Sequence, residues 1–167
     1  AICYGMLDMD IEKLKIGTAT YKGAKRRFEY VVDNADFVVI DDYAHHPEEL
    51  NAIIGSVKSL YPSKKITGIF QPHLFSRTRD FVDGFAESLS KLDELWLMEI
   101  YPAREEPIPN IDSAWLLEKV NLAQKSLVSP NSILEKLNTN KPEVLLILGA
   151  GDIDRIVSPI SKIYAEI

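Results

Sequence analysis

Strand-length apolar runs alternate along this chain with segments of helical period, and that alternation restricts the fold more than any other feature. The runs occupy residues 28–32, 37–40, 66–70, 94–100 and 143–148. Asp33, Asn34, Ala35 and Asp36 separate the first two closely enough for a hairpin. Later runs are separated by helical patterns: Leu50, Ile53, Ile54 and Val57 behind Pro47, then Phe81, Phe85 and Leu89 within 78–91. Asp112 and Ser113 can cap a further helix carrying Trp115, Leu116 and Val120, a short strand is expected over 126–128, and a helix over 130–137. Pro47 suits a first helical position, and Glu48 and Glu49 favour the positive end of the helix dipole. The run at 94–100 is apolar enough to be central, and a C-terminal helix is expected to end near Tyr164. Such β-α-β spacing predicts an α/β fold: a Rossmann-like, doubly wound, mainly parallel sheet with helices on both faces and an N-terminal hairpin.

Residues 1–23 form a separate pattern. Ile2, Met6, Leu7, Ile11, Leu14 and Ile16 are its apolar positions, with Gly17 and Gly23 as breakers. A chain that opens inside an apolar helical pattern without a start methionine is expected to be a piece of a longer protein. Its 167 residues at 46% hydrophobic composition support one full core. A formal charge of −6, with cations scattered among more numerous carboxylates, argues against a nucleic-acid module. No apolar run approaches the roughly 20 residues of a spanning helix, and no secretory leader precedes the first helix, so a cytoplasmic protein without membrane contact is expected. Cys3 is the single cysteine; it excludes an internal disulfide and reads as a buried small hydrophobe.

The apolar runs end in reactive groups. In open α/β sheets ligands bind in the crevice beyond the carboxyl ends of the strands. The run ending at Ile40 delivers Asp41, Asp42, Tyr43, His45 and His46, and the run ending at Phe70 delivers Gln71, His73, Arg77 and Arg79. All three histidines of the chain lie in these two segments. A carboxylate at a strand end can accept from a ribose diol or ligate a hard cation, or it can belong to a capping network; Asp42 is preferred because it lies closer to the turn. Adjacent His45 and His46 diverge in a turn and are poor partners on one metal. One of them is expected to donate to a phosphate or carboxylate while the other packs or caps the helix. Arg77 is the choice for an anion clamp, with Arg79 left to Asp80 or Asp83. The turn Gly149, Ala150, Gly151, Asp152 offers backbone N–H groups at a helix start, but Asp154 stands where a dinucleotide fingerprint needs glycine. No phosphate-binding loop of the GxxxxGK[ST] type occurs, so any triphosphate must be cradled by a part of the protein outside this sequence.

The motifs DDYAHHPEE, QPHLFSRTRD, EIYPAREEPI and LGAGDI, in this order and at these separations, resemble the C-terminal domain of the Mur ligases of peptidoglycan synthesis. YKGAKRRFE at 21–29 is similar to the end of that family's central ATPase domain. The resemblance implies two units, 1–27 as a remnant of the central domain and 28–167 as the amino-acid-binding domain. It further implies an ATP-dependent, amide-forming ligase that works through an acyl phosphate, most like the branch that adds L-alanine to UDP-N-acetylmuramate. Asp42 would then hold the ATP ribose, and Tyr43 and His45 would line the junction of nucleotide and amino acid. His73 and Arg77 would face the alanine, Arg77 as carboxylate partner, with Gly149, Ala150 and Gly151 bordering the same pocket. Mg²⁺ ligands are expected mainly in the central domain, and no metal ligand or certain catalytic residue is assigned here. Many relatives carry a basic residue after the histidine of the QPH motif, where this chain has Leu74, which leaves Arg77 with more of the task. The remaining alternatives are a ligase reattaching a recycled murein peptide to UDP-N-acetylmuramate, and a stand-alone nucleotide- or amino-acid-binding module without catalysis.

Overall fold

Six strands make one sheet in a computed structural model that describes residues 10–20 and 23–165. Strands β1 (Glu29–Asp33) and β2 (Val38–Asp42) form the antiparallel hairpin, with Asn34 Oδ1 accepting from the backbone N–H groups of Asp36 and Phe37 at 3.0 and 2.8 Å. The other strands are β3 (Ile66–Gln71), β4 (Glu94–Leu97), β5 (Lys125–Leu127) and β6 (Val144–Gly149). Their spatial order is β1-β2-β6-β3-β4-β5, and every pairing beyond the hairpin is parallel. The last strand in sequence is thus inserted between β2 and β3. Its all-apolar run, Val144 to Leu148, is fully buried because helices cover it on both sides.

Alternation along β2 shows how the sheet divides two cores. Val38 and Ile40 face one side and pack with Leu50, Ile54 and Val57 of α2 (Pro47–Leu60), Phe85 and Leu89 of α4 (Val82–Leu89), and Leu116 of α5 (Ser113–Lys119). Val39 faces the other side, with Ile133 and Leu137 of α6 (Pro130–Thr139) and Ile160 and Tyr164 of α7 (Val157–Ala165). Pro47 opens α2 as expected, and Asp112 caps α5 by accepting from Trp115 N–H at 2.7 Å. Ser113 instead donates to the Met98 carbonyl at 2.7 Å and is buried.

Several elements differ from their sequence expectation. The helix expected over 78–91 is two helices, α3 (Phe75–Asp80) and α4, broken at Phe81. Phe81 leaves helical geometry (φ −118°, ψ 21°), stays 44% exposed, and sets its ring against His46 at 4.6 Å instead of joining the core with Phe85 and Leu89. The strand expected over 94–100 ends at Leu97, where Glu99 turns outward while Met98 and Ile100 remain buried. β5 begins one residue earlier than expected, α6 extends to Thr139, and a 3-10 turn, Asp152–Ile156, precedes α7. Gly17 does not break the N-terminal helix, since α1 (Ile11–Ala19) runs through it. None of the α1 residues is buried. Ile2, Cys3, Met6 and Leu7, expected as apolar or buried positions, lie outside the described residues.

Candidate functional site

The chain leaves β2 and β3 toward the face covered by α2 and α4, but leaves β6, which lies between them, toward the opposite face and α7. That reversal opens a crevice beyond the carboxyl ends of these three strands, the topological switch point where doubly wound sheets take ligands. The sequence supplies its polar groups here: Asp42, Tyr43 and His45 follow β2, His73 and Arg77 follow β3, and Gly149 to Gly151 follow β6.

The histidines and Arg77 converge. The rings of His45 and His73 lie 6.1 Å apart, Tyr43 meets His45 edge-on at 5.2 Å, and Arg77 Nη1 lies 3.4 Å from His73 Nδ1. Tyr101 stacks on His73 at 5.6 Å, and their backbones are joined, since Tyr101 N–H donates to the Pro72 carbonyl and Leu74 N–H to the Tyr101 carbonyl. Burial first, and then the Arg77 guanidinium, pushes the His73 pKa below its ordinary value. A neutral ring that accepts from Arg77 at Nδ1 carries its proton on Nε2. His45 has the opposite arrangement: Nδ1 lies 2.9 Å from the Tyr43 carbonyl and 3.2 Å from Glu49 Oε2, both acceptors, so Nδ1 is the donating nitrogen. Glu49 also accepts from the backbone N–H groups of His45 and His46 at 2.9 and 3.2 Å, reaching back as in a capping box. His46, the N-cap, packs against Phe81. Arg79 pairs with Asp80 at 2.7 Å on the surface.

Leu74 sits at φ +73° as the N-cap of α3. A non-glycine residue in that region stores strain, held here because its N–H and carbonyl are both engaged, the latter by Thr78.

The two aspartates divide their tasks. Asp42 lies at the rim, with Oδ2 accepting from Phe28 N–H at 2.7 Å and Oδ1 from Ala44 N–H at 2.9 Å, so it fixes both its own turn and the segment that enters the domain. Each oxygen keeps a lone pair for a further donor. Asp41 is buried, 3.4 Å from Arg26 Nε, and its Oδ1 has no hydrogen-bond partner. Burial raises its pKa to about 6, with Arg26 opposing the rise. Because the folded state binds this proton more tightly than the unfolded chain, protonation stabilises the fold, and that contribution grows as pH falls from about 6 toward the ordinary value of 3.8. In thermal unfolding from pH 7 to pH 4, the parent chain is therefore expected to gain stability relative to Asp41→Asn, whose side chain does not titrate. A pH-independent difference would contradict a raised Asp41 pKa.

The glycine turn after β6 is packed rather than open. Gly149 adopts φ +143°, and a Cβ there would lie 2.8 Å from the Gln71 carbonyl oxygen. A Cβ on Gly151 would lie 2.7 Å from Tyr101 Cβ. The Gln71 amide locks the turn by donating to Asp152 at 2.9 Å and accepting from Ile153 N–H at 3.0 Å. The roles of Arg26, Tyr101 and Gln71 in the rim were not assigned from sequence, although Tyr101 follows β4 as Tyr43 follows β2, and the same strand-end rule would have found it.

Two hollows flank this edge. One of about 460 Å³ is lined by Gln71, Met98, Glu99, Val128, Ser129 and Asp152, and one of about 690 Å³ includes Arg26, Asp41 and Asp154 in its wall. Neither is lined by Tyr43, His45, His73 or Arg77, which form an open rim beside them. Among the described residues no three His, Cys, Asp or Glu side chains are grouped to hold a metal ion, and no helix is long and apolar enough to cross a membrane.

This fold and this rim define a doubly wound α/β domain of the ligand-handling class, with cationic and imidazole groups at its switch point. The family described as "Mur ligase, glutamate ligase domain" matches residues 26–151. The chain belongs to the Mur ligase family. A UDP-N-acetylmuramate–L-alanine ligase of Porphyromonas gingivalis is 54% identical over 153 residues, covering 91% of this chain and 34% of that protein. The chain thus spans about a third of the length of the curated relatives it matches. Among solved structures, a UDP-N-acetylmuramate–alanine ligase from Thermotoga maritima superposes with TM-score 0.72 at 23% identity, covering 99% of this chain and 36% of that one. A murein peptide ligase from Psychrobacter arcticus gives 0.66 at 20% identity, covering 91% of this chain and 32% of that one. At these identities the structures speak for the fold alone.

Proposed function

We propose that this chain is the amino-acid-binding, closing domain of an ATP-dependent ligase of the cytoplasm that joins L-alanine to UDP-N-acetylmuramate through an acyl phosphate, in peptidoglycan synthesis. The observation that carries the reading is the convergence of Tyr43, His45, His73 and Arg77 on one open rim beyond β2 and β3. A rim is what a domain closing over a substrate held elsewhere should present, because the other wall comes from its neighbour. The names of the relatives favour L-alanine and UDP-N-acetylmuramate as substrates, with ATP as co-substrate. The partners of residues 28–167 are then the central and N-terminal domains of the same polypeptide. Residues 1–27 are assigned to the end of the central domain, supported by the lack of burial in α1 and by a family match that begins at residue 26.

In this reading Arg77 binds the alanine carboxylate, held in place by the neutral His73 that accepts from it. With Nδ1 turned to the Tyr43 carbonyl and Glu49, Nε2 of His45 is the ring nitrogen that can take the proton the alanine ammonium sheds before its nitrogen can attack. Attack on the acyl phosphate forms the amide bond and releases phosphate, so negative charge accumulates where the rim offers cations and N–H donors. ATP fits the donor set through Asp42, whose two oxygens each retain a lone pair for the ribose diol. Mg²⁺, which would neutralise phosphate charge, finds no three-ligand group among the described residues and is assigned to the central domain.

Asp42→Asn in the full-length enzyme tests the nucleotide role. Losing a charged acceptor is expected to raise the ATP KM about tenfold or more while leaving the L-alanine KM nearly unchanged. Initial rates over an ATP series, with the other substrates saturating, read this directly; an unaltered ATP dependence removes Asp42 from the ribose.

A further inference from the structure

Arg26 takes no part in the chemistry proposed above, yet it is tied to the domain at five points. Its backbone N–H donates to Glu29 Oε2 at 2.8 Å, and its carbonyl accepts from Tyr43 N–H at 2.8 Å. Its guanidinium reaches the Gly149 carbonyl through Nη2 at 2.5 Å, sits 3.4 Å from Asp41 through Nε, and covers the Tyr43 ring at 5.1 Å. Its side chain is 18% exposed and the Asp41 side chain 4%. The backbone is held in left-handed geometry at Arg26 (φ 55°) and again at Phe28 (φ 51°), whose N–H is fixed by Asp42. A strained entry segment persists only where its surroundings over-determine it. The fork of the guanidinium suits this position because its rigid plane can grip the end of β2 and the end of β6 together, with a fixed geometry that an ammonium lacks.

We propose that Arg26 is a positioning residue, which bolts the segment entering the domain to the carboxyl ends of β2 and β6 and so sets the pose of the Tyr43 rim relative to whatever precedes it. This rests on the reading of the rim as one wall of a ligase site. The grip is incomplete as it stands: Asp41 Oδ1 and Arg26 Nε are both buried without a hydrogen-bond partner. Two orphan atoms on facing groups leave room for the pair to tighten to a two-point contact when the domain moves. Replacing either partner alone leaves the other as an uncompensated buried charge, whereas replacing both removes the conflict.

The experiment uses the full-length enzyme with Arg26→Met, Arg26→Lys, Asp41→Asn and the double variant Arg26→Met/Asp41→Asn. Arg26→Met is expected to lower kcat about tenfold with the KM values for L-alanine, ATP and the UDP-sugar within roughly threefold, as misplacement of a rim predicts. Arg26→Lys should recover part of the loss, and the double variant should lose less than the product of the two single losses. The pH profile adds a readout that simple loss of packing does not move. Asp41 is faced by Arg26, Glu29, Asp42 and Asp154, and only Arg26 among them favours its ionised form. Without Arg26 the acid limb of kcat should therefore shift to higher pH. Amide exchange on the same full-length variants should quicken at 26–29 and 149–152. A kcat within about twofold of the parent, a loss confined to the ATP KM, or unchanged exchange at both segments overturns the latch. Failure of the parent to ligate L-alanine would overturn the functional reading instead, and the exchange measurement then decides the latch by itself.

Discussion

Arg77→Ala in the full-length enzyme should raise the L-alanine KM about 100-fold while the KM values for UDP-N-acetylmuramate and ATP stay within roughly threefold. The size follows from what the guanidinium faces. Among the described residues Arg77 stands 3.4 Å from His73 and pairs with no carboxylate, in contrast to Arg79, which is paired with Asp80. A planar fork held by a neutral imidazole is prepared for a carboxylate, and a bidentate pair with a substrate carboxylate is among the stronger contacts a rim can offer. Leu74 supplies no second cation at the neighbouring position. Arg77→Lys should restore only a minor part, since a point charge does not reproduce the fork. Steady-state rates over an alanine series check this, and parallel losses for alanine and the UDP-sugar would remove Arg77 from the carboxylate.

Gly149→Ala is expected to be the most damaging small substitution in the rim. The backbone there sits at φ +143°, and the added methyl would lie 2.8 Å from the Gln71 carbonyl oxygen and 3.5 Å from its nitrogen, both main-chain atoms that cannot swing aside. Backbone strain and overpacking together should cost about 3 kcal/mol, or roughly 6–12 °C in Tm for a chain of this size. Gly55→Ala is the control: it lies inside α2 with nothing within 4 Å of the new methyl, and should stabilise by about 0.5–1 kcal/mol. Thermal unfolding of the two variants side by side separates the conformational demand at Gly149 from any general effect of adding a methyl. Equal changes in Tm would contradict it.

The parts of this structure that could be read from the chain are those governed by local pattern. The two faces of β2, the opening of α2 at Pro47 and the buried run of β6 follow from periodicity and turn chemistry, because burial on a given face repeats at a fixed spacing. The strand-end rule placed Asp42, His45, His73 and Arg77 at one edge without knowledge of the strand order. Features created by contacts distant in sequence were not legible. Phe81 keeps helical spacing with Phe85 and Leu89, yet it is drawn out of the helix by the ring of His46, 35 positions earlier in the numbering, at 4.6 Å. Arg26 and Gly149 are 123 residues apart and carry no local signature of their pairing. The apolar stripe of α1 was visible, but its lack of burial was not, because periodicity shows that a face exists and not what covers it.

The full-length enzyme should be supplied with ATP, UDP-N-acetylmuramate and either L-alanine or a murein peptide, and its products followed by mass spectrometry alongside ADP release. L-alanine should be joined to the UDP-sugar with ADP and phosphate released in equal amount to the amide formed, and the peptide should be a poor substrate. Turnover of the peptide with L-alanine ignored, or no ATP-dependent amide formation from either, would contradict the assignment of this domain to an alanine-adding ligase.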